Sequence, residues 1–206
     1  PRPWGWCRVY HQSAVSPQGD TPRSNGPRAR FDPHQAGSDG PSADPDGRSV
    51  LYAGVDLATS ACEVFGETGE ALLCPSYRVA LLRPTKKLTL FDLRAPGSAL
   101  SIGAIPALAD GEYPRAQTQA WARAIYQDDP LGVRADGMVY RSAYNGGDAI
   151  ALWDSTGKVT LVRDETGTAQ DYPLTHPEVR ARLLVSMAPR QIAVRTIPAS
   201  DCSRCP

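Results

Sequence analysis

A single α+β domain built around a mixed sheet with flanking helices is what this chain predicts, on three observations. Seven short runs rich in β-branched and aromatic residues recur along it, and three stretches with helical apolar spacing fall among them. The two kinds follow one another irregularly rather than one for one, which argues against a doubly wound parallel sheet. At 206 residues, 41% of them hydrophobic, the chain can bury one sizeable core and is short for two.

Residues 12–49 come first, crowded with Pro, Gly, Ser and Asp, a composition that sustains neither a helix nor a central strand. They are expected as one long loop, interrupted near Arg30-Phe31. A structureless connection longer than about 15 residues is uncommon in a compact domain and tends to be functional, so this loop is a candidate substrate wall. Strands are expected at 50–55, 77–82, 88–93, 138–143, 149–153, 159–162 and 192–197. The first helix follows Asp56 as N-cap and carries Leu57, Ala61, Val64 and Phe65 on one stripe. The second opens at Pro114 and spaces Ala120, Trp121, Ala124 and Ile125. The third follows a capping box, Thr175-His176-Pro177-Glu178, ahead of Val179, Leu183, Leu184 and Met187. Residues 198–206 are expected as a flexible C-terminal tail.

Charge narrows the function. With 22 basic and 22 acidic residues, no global field is available to hold nucleic acid or a membrane surface, and any anion site must be local. No apolar run approaches the roughly 20 residues needed to span a bilayer, and no secretory segment is visible, so a cytoplasmic protein is expected. Five cysteines at irregular spacing argue for reduced thiols rather than a disulfide framework. Cys202-Ser203-Arg204-Cys205 is a CxxC, yet alone it supplies two of the four ligands a structural zinc wants, and no metal is assigned. His11, His34 and His176 show no ligand spacing and are assigned no chemistry. Glycine-rich phosphate loops, GxSxG elbows and internal repeats are missing from the sequence.

Five side chains remain as candidates. Glu63 lies on the helical wheel between Thr59 and Ser60, away from the apolar stripe; it is a solvated carboxylate unless that polar face looks into a cleft. Tyr52 alternates with Val50 and Gly54 and reads either as a core tyrosine or as a ring that stacks on a ligand. Ser142 shares a strand face with Tyr140 and Tyr144; without a glycine elbow or partner histidine it offers a hydrogen bond rather than a nucleophile. Arg8 and Arg30 stand beside aromatic residues and are either surface cations or bidentate phosphate ligands.

Taken in order, four segments resemble the RES domain family, named for an arginine, a glutamate and a serine. Trp6-Cys7-Arg8-Val9-Tyr10 is similar to its W-R-V opening, and Arg30-Phe31 to its G-R-F or G-R-W step, with Ala29 in the glycine's place. Val50-Leu51-Tyr52-Ala53 followed by Ala58 to Glu63 resembles its V-Y-L-A strand and A-x-x-E helix. Gly137-Met138-Val139-Tyr140-Arg141-Ser142 resembles its serine strand, and Ile150-Ala151-Leu152-Trp153 the strand after it. The likeness covers about residues 6–155. It implies a fold related to diphtheria-type ADP-ribosyltransferases and a bacterial toxin that cleaves the nicotinamide–ribose bond of NAD+ by hydrolysis or phosphorolysis. NAD+ would be substrate, not cofactor, with inorganic phosphate as co-substrate in the second case. Glu63, Arg8 and Ser142 would be catalytic, and Arg8, Arg30, Tyr52 and Ser142 would bind NAD+, with no metal. A cognate antitoxin of the Xre helix-turn-helix type is the implied partner. Transfer of ADP-ribose to a protein, or NAD+ binding without turnover, are the alternatives.

Overall fold

A computed structural model describes residues 5–35, 37, 40–110, 113–130 and 132–205. In chain order its elements are β1 (Trp6–His11), β2 (Asn25–Gly26), β3 (Ser42–Ala43), β4 (Val50–Gly54), α1 (Leu57–Phe65), β5 (Glu70–Leu73), β6 (Tyr77–Pro84) and β7 (Leu90–Asp92). There follow α2 (Ser98–Ser101), α3 (Ala107–Asp110), α4 (Arg115–Asp128), β8 (Gly137–Arg141), β9 (Asp148–Trp153), β10 (Val159–Leu161), β11 (Asp171–Pro173), α5 (Pro177–Met187) and β12 (Ala193–Thr196). The fold is α+β, as predicted, with a mixed main sheet ordered β10-β6-β1-β4-β9-β8-β7. Its pairs are antiparallel except β7 with β8, and β11 adds to the same edge of β6 as β10. Among the described residues, no helix is long and apolar enough to cross a membrane.

The pleat sorts the sheet's side chains onto two faces. Cys7 and Val9 of β1 pack beneath α1 and α5, while Phe31, Val50, Met138, Tyr140 and Trp153 build a second core with α4. Tyr10, Leu51, Ala53, Ile150 and Leu152 fill a third cluster on the opposite face. The two central strands, β1 and β4, meet at Cys7 and Gly54. Beyond that point Arg23 takes the place beside Val50, its N–H donating to the Val50 carbonyl (2.8 Å) and its carbonyl accepting from the Val50 N–H (2.9 Å). This splaying admits the N-terminal loop into the sheet's plane.

Local signals explain the helices, with two adjustments. Asp56 caps α1 as expected, its side chain accepting from the Thr59 N–H at 2.8 Å. The expected capping box on α5 does not form: the N-cap is His176, without a side-chain bond, because Pro177 at the first helical position fixes the entry and has no N–H to satisfy. On α4 the buried line is Thr118, Ala122 and Ile125, so Ile125 of the predicted stripe is core and Trp121 packs against it, while Ala120 is exposed. Strands β1, β5 and β11 and helices α2 and α3 fall outside the sequence expectation.

Two further segments depart from it. Within 12–49, of which 36, 38 and 39 lie outside the described residues, β2 pairs with β3, and Phe31, Asp32 and His34 are fully buried. The C-terminal segment is not a loose tail, although Pro206 lies outside the described residues. β12 runs parallel to β5, the Ile197 N–H donates to the Leu73 carbonyl (3.0 Å), and Cys202 is buried.

Candidate functional site

Glu63 sits on the last turn of α1, and the helix face it shares is not solvated. Thr59 and Ser60 are buried, and the Ser60 hydroxyl donates to the Cys7 carbonyl while accepting from the Gly54 N–H (3.0 Å). These bonds lock the polar side of α1 onto β1 and β4. The helix then delivers Glu63 over the β4–β9–β8 part of the sheet, where Ala149 and Ala151 leave a low floor.

There the carboxylate meets Tyr140. The Tyr140 hydroxyl, in a side chain only 1% exposed, donates to Glu63 Oε2 at 2.9 Å. Burial first, then the Glu63 charge, pushes the Tyr140 phenol well above its ordinary range, so it remains a protonated donor. Arg30 lies over the same ring, its guanidinium carbon 5.1 Å from the Tyr140 centroid and 4.9 Å from that of Phe31. Phe31 in turn leans on Tyr140 with centroids 4.6 Å apart, and the Trp153 indole N–H holds the Phe31 carbonyl at 3.1 Å. Arg30 Nη2 donates to the Arg141 carbonyl (3.2 Å).

What remains unmet is informative. Among the described residues, Glu63 Oε1 and Arg30 Nη1 are shielded from solvent and have no hydrogen-bond partner. An orphaned buried acceptor and an orphaned buried donor each cost on the order of 1–3 kcal/mol, and these two sit against the same tyrosine.

Ser142 lies one residue past the carbonyl that Arg30 grips and is 3% exposed. Its N–H donates to the Gly147 carbonyl (2.8 Å) and its hydroxyl accepts from the Tyr144 N–H (3.4 Å), so it closes the turn after β8 and keeps its proton to donate. That turn is pressed onto α1 where only glycine fits: a Cβ on Gly66 would lie 2.3 Å from Tyr144 Cγ, and one on Gly147 would lie 2.2 Å from Thr59 Oγ1.

Tyr52 shares the floor with Tyr140, but its hydroxyl is committed. It donates to Asp32 Oδ1 at 2.7 Å and accepts from the Phe31 N–H at 3.1 Å. Burial and the Asp32 charge raise the Tyr52 phenol well above its ordinary range. Asp32, wholly buried, also takes both oxygens to Arg23 Nη2 (2.8 and 2.7 Å) and accepts from the N–H groups of Arg28 and Ala29. Removing the phenol in Tyr52→Phe strips a donor from a buried carboxylate and an acceptor from a buried amide. We expect a loss of about 1–3 kcal/mol, read as a lower Tm of a folded protein. An unchanged Tm would return the Tyr52 hydroxyl to a dispensable role.

Arg8 does not join this group. It lies on the sheet face of Tyr10, opposite Cys7 and Val9, and is 7% exposed. Its Nη1 donates to the carbonyls of Gly19 (2.8 Å) and Thr21 (2.7 Å) and its Nη2 to Ser16 Oγ (3.3 Å), while burial pulls its pKa down to about 10. With those donors spent on the 16–21 turn, Arg8 positions the loop that carries Arg23, and through Arg23 reaches Asp32, Tyr52 and Phe31. Asp32, Arg23 and the contact of Tyr140 with Glu63 are not marked in the sequence. The signal for Tyr140 was its shared strand phase with Ser142; for Asp32 there was none, because the two side chains it holds, Arg23 and Tyr52, are nine and 20 residues away and only its backbone contacts to Arg28 and Ala29 are local.

A separate cavity of about 360 Å³ opens between the first turn of α1 and α5, lined by Asp56, Leu57, Tyr172, His176 and Arg182 among others; none of the five candidates borders it.

No curated protein matches the chain. Among solved structures, a chain of the M. tuberculosis MbcT-MbcA toxin-antitoxin complex is similar at 16% identity and a TM-score of 0.48, covering 86% of this chain and 90% of that one. The family model of the RES domain matches residues 2–175, well over half of the sequence and every segment of the cluster around Glu63. The chain belongs to the RES domain family.

Proposed function

We propose that this protein is the toxin of a two-gene module and destroys NAD+ at the Glu63–Tyr140–Arg30 cluster. The observation that carries the reading is the pair of buried, unpartnered atoms, Glu63 Oε1 and Arg30 Nη1, held against one tyrosine. Family membership supplies the substrate class. When the C–N bond between ribose and nicotinamide breaks, its electron pair leaves with the nicotinamide, which becomes neutral, and positive charge develops on the ribose. A carboxylate fixed beforehand by Tyr140 stabilises that charge without reorganising, and its free oxygen accepts from a ribose hydroxyl. Arg30 Nη1 holds a pyrophosphate oxygen, Tyr52 offers its ring to the nicotinamide, and Ser142 donates near the ring or ribose. Water or inorganic phosphate then captures the ribose carbon, giving ADP-ribose and a proton or the 1-phosphate ester.

Purified protein incubated with NAD+, with and without phosphate, should release nicotinamide, and the second product identifies the acceptor. Absence of nicotinamide under both conditions overturns the reading. Label from NAD+ accumulating on a discrete lysate protein instead would assign ADP-ribose transfer.

An enzyme of this kind requires an inhibitor, and the family implies an antitoxin, of Xre type, that covers the cleft. A carboxylate-bearing segment that pairs with Arg30 fits the site's unmet donor. Inhibition by the neighbouring gene's product should then be competitive with NAD+; tight binding that leaves turnover unchanged would contradict occlusion.

A further inference from the structure

Away from the NAD+ cluster, three separated segments bring one imidazole and three thiols to a point. His11 ends β1, Cys74 follows β5, and Cys202 and Cys205 lie in the turn that closes the chain. Backbone pairing forces the meeting. Tyr77 of β6 pairs with His11, the Gln12 N–H donates to the Ser76 carbonyl (2.8 Å), and β12 carries the C-terminal segment alongside β5 to Cys74. The Cys205 N–H donates to the Cys202 carbonyl (3.1 Å), curling the CxxC so that both sulfurs face one way.

The four ligand atoms lie within 4.8 Å of one another. His11 Nε2 is 3.5 Å from Cys74 Sγ, 3.7 Å from Cys202 Sγ and 3.4 Å from Cys205 Sγ, and Cys74 Sγ is 3.5 Å from Cys205 Sγ. A tetrahedron built on Zn–S of about 2.3 Å and Zn–N of about 2.0–2.1 Å has N···S edges of about 3.6 Å and S···S edges of about 3.8 Å. Hydrogen bonding does not explain the arrangement, because one imidazole nitrogen has a single lone pair and three sulfurs crowd it. A disulfide would use two thiols and leave the third and the imidazole unexplained.

We propose that His11, Cys74, Cys202 and Cys205 form a structural zinc site. All four positions are filled by protein, so the metal has no open place for substrate and serves as a crosslink. Two of its ligands, Cys202 and Cys205, lie beyond the RES match at residues 2–175, so the site fastens the segment after the match onto the matched region. Ligand softness selects zinc over magnesium, calcium or manganese.

The test is metal content and stability of the full chain, purified without chelator, and it is independent of NAD+ turnover. About one zinc per chain is expected in the wild type, and loss of that zinc in the Cys202→Ser/Cys205→Ser double variant. His11→Cys, which offers four thiolates, should retain it. Cobalt substitution should give thiolate charge-transfer bands and the visible spectrum of a tetrahedral ion. Chelation should lower Tm by more than about 5 °C. A wild-type chain purified free of metal, with a Cys74–Cys205 disulfide or three freely alkylated thiols, overturns the site. So does full zinc retention in the double variant. An unchanged Tm after zinc removal overturns the structural role.

Discussion

Glu63→Gln should lower NAD+ turnover by about 100-fold or more while leaving Tm nearly unchanged. The substitution preserves the shape of the side chain, and the amide oxygen can still accept from Tyr140 at the place of Oε2. The change falls on the other atom: the unpartnered Oε1 becomes an NH2, so the charge that the proposed function sets against the ribose disappears and an acceptor turns into a donor. Tyr140→Phe gives the complementary result. It leaves the charge but frees the carboxylate to rotate and exposes a buried ion to a lost donor, so turnover should fall less, by about 10-fold, while stability falls by about 1–3 kcal/mol. Nicotinamide release and thermal melts on the two variants separate chemistry from positioning. Full activity in Glu63→Gln would return Glu63 to an ordinary partly buried carboxylate.

The sequence made the local decisions legible and the long-range ones not. Asp56 announces α1 because an N-cap is satisfied within its own turn, and Pro177 marks the start of α5 by a different local rule, since a proline at the first helical position has no N–H to satisfy, while the capping box expected there does not form. Apolar periodicity marked Glu63 as belonging to a polar face, but that face is buried, because Thr59 and Ser60 spend their hydroxyls on the sheet and its turns. Only the strand pairing that sets β1 and β4 beneath α1 shows this. β1 escaped detection as a strand because it is central: Cys7, Arg8, Val9 and Tyr10 are all buried, so neither face alternates with solvent. The same centrality misdirects Arg8. In sequence it is a basic residue beside aromatics, and in the fold it is enclosed with loop carbonyls as partners. The His11–cysteine cluster was invisible for a related reason, since Cys74 lies 63 positions after His11 and Cys205 131 positions after Cys74, and the β1–β6 and β5–β12 pairings close those two gaps.

Arg30→Ala and Arg8→Ala should therefore fail in different ways. Arg30 stacks on Phe31 and Tyr140 with one nitrogen unmet, and under the proposed function its loss removes a charge-assisted bond to the pyrophosphate worth about 1.5–3 kcal/mol. The expected result is a rise of about 10–100-fold in KM for NAD+ with Tm preserved. Arg30→Lys should not rescue it, because an ammonium lacks the planar fork that lies on two rings while donating at its edge. Arg8→Ala removes a buried side chain whose bonds hold the backbone of Gly19 and Thr21, and should cost about 2–4 kcal/mol of stability. Its effect on NAD+ then arrives through the loosened loop, Arg23 and Asp32, and should grow as the assay temperature approaches the lowered Tm. Parallel melts and steady-state kinetics at two temperatures distinguish the cases. If Arg8→Ala keeps its Tm and raises KM as much as Arg30→Ala does, the assignment of Arg8 to loop positioning fails and the pyrophosphate has two arginines.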